Sequence, residues 1–315
     1  MQILEMALIV MGLGFFEVIS SIDNAIINGE VLSKMSQRAR RWFLLWGIIL
    51  AVFVVRGFLP FLILWASNPQ LSAIEVITAT LNSDPHAIEA MEKSAGVLMV
   101  GGGTFLIFLF LHWLFLEPKH YGLRGEKTIH RNGFWFYAIA SVMLTLIVWL
   151  SIKMNPMMAF GAVVGSTAFF ITHGFKENAE QMELKMMDKK SGMSDISKVL
   201  YLEVIDATFS IDGILGAFAF TLSLPLILIG NGIGAIVVRQ LSVKNIENVK
   251  KYKYLKNGAM YSILSLGVIM LMDGFGAGVP SWVTPIVTIL IVGYFFYRSV
   301  KELNMQRGRK KSEKE

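Results

Sequence analysis

Glu17-Val-Ile-Ser-Ser-Ile-Asp23-Asn24 and Asp206-Ala-Thr-Phe-Ser-Ile-Asp212-Gly213 are two near-copies of one pattern, each setting two carboxylates six residues apart inside an apolar segment. A carboxylate at membrane depth costs at least ~2.5–3.5 kcal/mol even on lenient insertion scales, so four of them in a repeated pattern require a purpose. The pattern predicts a shared polar site within a membrane, with a cation as the ligand that acidic groups there select.

The composition around the motifs agrees with that setting. Of 315 residues, 54% are hydrophobic and only 17% charged, and the mean hydropathy is +0.57. A soluble domain carries roughly a quarter charged residues. A bilayer crossing takes about 20 apolar residues. Nine spans are predicted, at 5–29, 43–65, 95–116, 134–152, 157–175, 200–222, 226–242, 258–275 and 281–299. The fold class is therefore an all-α polytopic membrane protein. The first stretch has no basic leading region, carries Glu5 and stays apolar beyond a signal-peptide core, so it reads as a span. There are no cysteines, which removes disulfides, thiolate ligands and thiol redox chemistry.

Basic residues follow spans one, three, five and seven and fill the tail: Lys34 to Arg41, Lys119 to Arg131, Lys176 to Lys198, Lys244 to Lys256, and Lys301 to Lys314. With nine spans, these all fall on one side, facing only Lys93 and Lys153 on the other. Positive charge marks the cytoplasmic face. The reading is a multi-pass protein of the cell (inner) membrane, N-terminus outside and C-terminus cytoplasmic. The net charge of +6 is then a topology signal and no sign of nucleic-acid binding. The tail from Arg307 is expected to be disordered and close to anionic lipid.

Downstream of the aligned Asp23 and Asp212, after a six-residue gap in the second copy, Trp46-Gly47 to Val55-Arg56 matches Ile229-Gly230 to Val238-Arg239. Two three-helix repeats of opposite topology result, an arrangement that recurs in transporters with a midplane site. The expected division is 1–116 for the first repeat with an outside loop at 66–94, 117–175 for connecting helices, and 176–199 for a cytoplasmic linker. The second repeat is 200–275, followed by a ninth helix at 276–299 and a basic tail at 300–315. Within the outside loop, Leu71, Ile74, Ile77 and Leu81 recur at helical spacing and suggest one or two short interfacial helices, with a solvated loop as the alternative.

On a continuous helix, residues six apart are rotated by ~240° and separated by ~9 Å, so neither acid pair grips one ion unless its helix is distorted. Either the helices break near Asn24, Asn28-Gly29, Gly213 and Gly216, or Asp23 joins Asp212 in one site and Glu17 joins Asp206 in a second. Asp23, Asp212, Glu17, Asp206 and Asn24 are the candidate metal ligands. Ser20, Ser210, Thr208 and Glu203 lie close enough in sequence to add oxygens. Such a set favours a hard cation such as Mn²⁺, Mg²⁺ or Ca²⁺ over zinc or copper. Arg56 and Arg239 are read as charge-balancing or gating partners. The alternative for the acids is a purely structural pairing with these arginines. His112 and His173 are read as structural, the methionines as packing, and Gly101-Gly102-Gly103 as a close helix contact.

Glu17-Val-Ile-Ser-Ser-Ile-Asp23-Asn24-Ala and Glu203-Val-Ile-Asp206-Ala-Thr-Phe-Ser-Ile-Asp212-Gly213 resemble the acidic motifs of the TerC-type integral membrane proteins, and more narrowly the branch called domain of unknown function 475. The resemblance runs from about residue 3 to 300. It implies kinship with the lysine-exporter-like inverted-repeat transporters, a link to tellurite resistance and, in several members, manganese homeostasis by efflux. The family's motif falls here on Glu17, Asp23, Asn24, Asp206 and Asp212. Many TerC-type members have serine where this chain has Gly213. The implied function is export of a divalent cation, manganese favoured, as substrate with no permanently bound cofactor and no enzymatic activity. The implied partners are the bilayer, the metal ion, and a second copy or a stress-response complex. A non-transporting scaffold for such a complex is the competing reading. An intramembrane aspartyl protease needs two aspartates on separate spans, but the expected G-x-G-D is absent, since Asp212 follows Phe-Ser-Ile.

Overall fold

The computed structural model describes residues 2–33, 35–68, 70–82, 85–187, 194–244 and 249–312. Among them there are helices and no strands: α1 (Gln2–Ser20), α2 (Ile22–Ser33), α3 (Gln37–Ile49), a π-helical stretch (Leu50–Phe58), α4 (Leu59–Ser67), α5 (Ala73–Asn82) and α6 (Pro85–Phe115). After α6 come α7 (Glu126–Arg131), α8 (Phe136–Met154), α9 (Pro156–Met187), α10 (Asp195–Ala217), α11 (Leu224–Lys244), α12 (Leu255–Gly274) and α13 (Val283–Ser312). Seven helices in the described residues are long and apolar enough to cross a membrane. Their outer faces expose large apolar groups, among them Trp149, Phe160, Leu290 and Phe296, as lipid-facing helices do.

Two of the nine predicted spans are missing from those seven, and both carry charge: Arg56 in the first, Glu203, Asp206 and Asp212 in the second. Residues 43–65 are divided among α3, the π-helical stretch and α4, with Val54–Ser67 as the apolar part despite Arg56. Residues 200–222 lie in an unbroken helix that starts earlier, at Asp195, and ends at Ala217, where Phe218, Ala219 and Phe220 close into tight turns. Asp195, Lys198, Glu203, Asp206 and Asp212 dilute its apolar character. The first span is divided at Ser21, although the amides of Ser21 and Ala25 keep helical hydrogen bonds across the joint. One predicted distortion near the motif is therefore present in the first copy and absent from the second.

Other boundaries move as well. The expected linker at 176–199 is largely helical, because α9 continues to Met187. The tail expected to be disordered continues α13 to Ser312. Both stretches are rich in Lys, Glu, Gln, Met and Arg, strong helix formers that extend a helix already nucleated in the membrane. Within the loop expected at 66–94, α5 is helical, but among its described side chains Val76 is the buried one, whereas Ile74 and Ile77 are exposed.

Helix α6 is the central column, packed along α12 and α9, with α8 on α9 and α13 on α12. The glycine run makes this possible. A Cβ on Gly101 would stand 2.8 Å from the Gly161 carbonyl oxygen of α9, one on Gly103 would stand 2.9 Å from that of Gly267 in α12, and one on Gly165 would overlap the Gly101 carbonyl. Small residues let helix backbones approach where lipid supplies no hydrophobic drive. Past α6, the chain is fastened by the buried Glu126 carboxylate. It accepts the Gly122 and Leu123 amides at 2.7 and 3.0 Å, the Tyr261 hydroxyl at 3.0 Å and the Asn257 amide at 3.2 Å. Gly125, at φ 99°, supplies the left-handed turn just before it.

Gly165→Val should lower stability by about 1–3 kcal/mol or more through overpacking. Gly174→Ala and Gly293→Ala, whose added Cβ meets nothing within 4 Å, should not lower it. Thermal unfolding of the three purified variants checks the contrast.

Candidate functional site

The repeated motifs converge with Arg56 and Arg239 on one buried chain of charge. Glu17 on α1 accepts the Arg56 guanidinium at 2.5 Å and the Ser21 hydroxyl at 2.8 Å. The other side of Arg56 lies 3.9 Å from the Asp206 carboxylate on α10. Asp206 is also 3.4 Å from Arg239 on α11, and Arg239 closes a two-pronged pair with Glu203 at 2.8 and 2.7 Å. The order is Glu17, Arg56, Asp206, Arg239, Glu203, and all five groups are at most 6% exposed. Arg239 is further fixed by the Phe43 carbonyl at 3.1 Å and by the Phe43 ring, 4.2 Å below its plane.

Local sequence explains how these groups meet. Glu203 and Asp206 are three residues apart, on one face of α10, so both reach Arg239. Arg56 belongs to the π-helical stretch, a wider turn that often marks a functional position in a helix. Glycines provide the seats. A Cβ on Gly234 of α11 would stand 2.5 Å from that of Glu17, and one on Gly47 of α3 would overlap the Glu203 carboxylate and the Arg239 guanidinium. Each pair thus rests on a glycine from a helix of the other predicted half.

Asp212 stands apart from the ion pairs. It is half-buried and accepts the amide of Gly213 at 3.0 Å. Gly213, where many TerC-type members have serine, makes room here: a Cβ would come 3.0 Å from the second Glu17 oxygen. The absent side chain lets Glu17 lie against α10 beside Asp212. The hydroxyls of Ser20 and Ser210 are used locally, donating to the Glu17 and Asp206 carbonyls at 3.3 and 2.6 Å. The side chains of Asp23, Asn24 and Thr208, all named as candidates from the sequence, lie outside the described residues; α2 carries the first two and α10 the third. Among the described residues, no three His, Asp or Glu side chains stand together in a way that could hold a metal ion.

Two polar groups escaped the sequence reading. Ser21 sits next to the predicted Ser20, and its i, i+4 spacing from Glu17 was the available signal. Asn231 is fully buried, with no partner for either amide atom within the described residues; a Gly-Asn-Gly inside an apolar span was its signal. His112 and His173 pack closely, ring centres 3.7 Å apart and planes tilted by 52°, and the first lies 3.6 Å from Glu117 just beyond α6. Burial pushes the Glu117 carboxyl up, but Lys176, His112 and Lys256 together hold it well below the usual carboxylate range.

A set of lipid-exposed helices around a buried chain of three carboxylates and two guanidiniums defines a multi-pass helical membrane protein with an ionised core. Within that class, the chain belongs to the family described as protein of unknown function DUF475, whose model matches residues 22–306. Comparison with curated proteins and with solved structures gave no match in either case.

Removing one member of a buried ion pair strands the other and costs about 3–5 kcal/mol. Arg56→Ala should therefore destabilise more than Glu17→Ala/Arg56→Ala, with a coupling of about 0.5–3 kcal/mol in a thermal-unfolding cycle. Gly213→Ser should press on the same carboxylate and lower the melting temperature without touching any charge. An unchanged melting temperature would place Glu17 elsewhere.

Proposed function

We propose that the protein is an integral membrane transporter that exports a divalent metal cation, manganese favoured, with the buried charge chain as its site. The single observation that carries this reading is the balance of charge: among the described residues, the three carboxylates Glu17, Asp206 and Glu203 share the two guanidiniums of Arg56 and Arg239, and Asp212 beside them feels the Lys176 ammonium. The four acids thus exceed these three cations by one formal charge, and an arginine that turns away leaves the two that a divalent cation neutralises. Isolated buried charge is too costly to persist without such compensation. In this account, the guanidiniums act as resident counter-ions. An entering cation takes carboxylate oxygens from Arg56 at Glu17 and Asp206, and the released arginine turns away. Asp23, Asn24 and Asp212 complete the oxygen shell, and protons move through the same carboxylates as the ion leaves.

Two further features support the reading. The resemblance to TerC-type proteins and their lysine-exporter-like kin brings manganese efflux and tellurite resistance with it. In addition, α1 packs on α11 while α10 packs on α3 and the π-helical stretch, and α6 pairs with α12; this is the reciprocal contact that two inverted three-helix halves produce. The protein then sits in the cell membrane with its basic loops and C-terminus in the cytoplasm.

The competing reading is a non-transporting membrane scaffold of a tellurite- or stress-response complex. It is favoured by the engagement of Glu17, Asp206 and Glu203 by arginine and by the absence of a metal-holding cluster among the described residues. Reconstitution separates the two. Proteoliposomes should accumulate Mn²⁺ from outside in a protein-dependent way, and Asp23→Asn and Asp212→Asn should each lower the rate by about 10–100-fold, as disruption of a metal's coordination does. Equal flux through wild-type and empty vesicles would leave the scaffold.

A further inference from the structure

A second site lies away from the charge chain, where α6 ends and α12 begins. A cavity of about 460 Å³ is lined there by Lys119, His120, Lys250, Lys253 and Lys256. No carboxylate is among its lining residues. The acids that hold three of these lysines come from outside it: Glu30 pairs with Lys250, Glu302 with Lys253 at 2.7 Å, and Glu117 with Lys256 at 2.9 Å. Those lysines are roughly a third exposed, and ion pairs at such positions are weak enough to exchange for a better anion. Each ammonium has three donors, so pairing with one carboxylate does not exhaust it.

Lys119 strengthens the case. Its ammonium is held by the Trp113 and Leu114 carbonyls at the end of α6 and lies 4.2 Å from the Trp113 ring centre. Burial depresses its pKa to about 8, with Lys256 adding to the effect and Glu126 and Glu117 opposing it. A lysine crowded by another ammonium in a partly dry cavity is stabilised by an incoming anion. Asn257 lines the same cavity and adds an amide to the donors. The opposite wall is apolar, formed by Ile22 and Ile26, one turn apart on α2, and by Leu255. The cavity lies level with the ends of two candidate spans, Ser94–Phe115 and Leu255–Gly274, where a bilayer places its headgroups.

We propose that this cavity binds a phosphate-bearing anion, with its basic wall on the phosphate and its apolar wall on the adjoining hydrocarbon. Basic pockets between spans commonly take anionic lipid headgroups, and the apolar wall matches that source better than free phosphate. Because α2 also carries Asp23 and Asn24, an occupied cavity would brace the helix that bears one copy of the motif.

The test uses the full-length, delipidated protein in neutral detergent. Native mass spectrometry should detect binding of added phosphatidylglycerol, and Lys250→Gln/Lys253→Gln should reduce it by about tenfold, since each lysine near a membrane surface contributes measurably to anionic-lipid affinity. Lys198→Gln/Lys301→Gln, with the same loss of charge elsewhere, should stay within about twofold of wild type. Equal losses in both double variants would overturn the proposal. A second readout needs no variant: acetylation of wild-type Lys119 should have its midpoint near pH 8 and move upward when the anion binds. A shift with phosphatidylglycerol alone assigns a lipid headgroup, and a shift with inorganic phosphate as well assigns any phosphate group. No shift with either, or the same shift with phosphatidylcholine, overturns the proposal.

Discussion

The Asp206 carboxylate, shared between Arg56 and Arg239, is the interaction on which the rest of the structure depends. Lipid offers no solvent for these charges, so every one must be met by protein. Replacing such a network with packed hydrocarbon is often neutral or stabilising, which makes its presence weak evidence for stability and better evidence of use. Its geometric demands are met throughout the surrounding helices. Gly234 and Gly47 give up side chains so that the acids can be seated, Gly213 gives up one for the second Glu17 oxygen, and the second span gives up α-helical regularity around Arg56.

The apolar helices were legible because each is a continuous run with little charge; α8, α11 and α12 fall close to the predicted spans, whereas α6 begins at Pro85, inside the expected loop. The charged pair of segments was legible as motif but not as shape. A π-helical turn at Leu50–Phe58 has no signature in composition, since it depends on what Arg56 must reach in another part of the chain. The helical continuation of α9 and α13 was hidden for a different reason: polar, charged residues read as linker and tail, although the same residues propagate a helix well.

At the site, the duplicated pattern identified Glu17, Asp206 and both arginines, and the structural pairing kept open from the sequence is the one the described side chains adopt. What the sequence left undecided follows helical geometry. Because α10 is unbroken through Glu203, Asp206 and Asp212, Glu203 shares a face with Asp206, while Asp212 is turned ~240° away and belongs to neither arginine pair. The seating glycines depend on contacts between distant helices, which spacing within one helix does not reveal.

The central claim of the proposed function is that Arg56 and a divalent cation compete for the same carboxylates, those of Glu17 and Asp206. Titration of purified protein with Mn²⁺, followed by loss of the free-ion electron paramagnetic resonance signal, tests it directly. The account predicts saturable binding that Asp212→Asn weakens and Arg56→Gln tightens, because the variant removes the competing charge. Binding that Arg56→Gln weakens as much as Asp212→Asn does, or no binding by any of the three proteins, would contradict it.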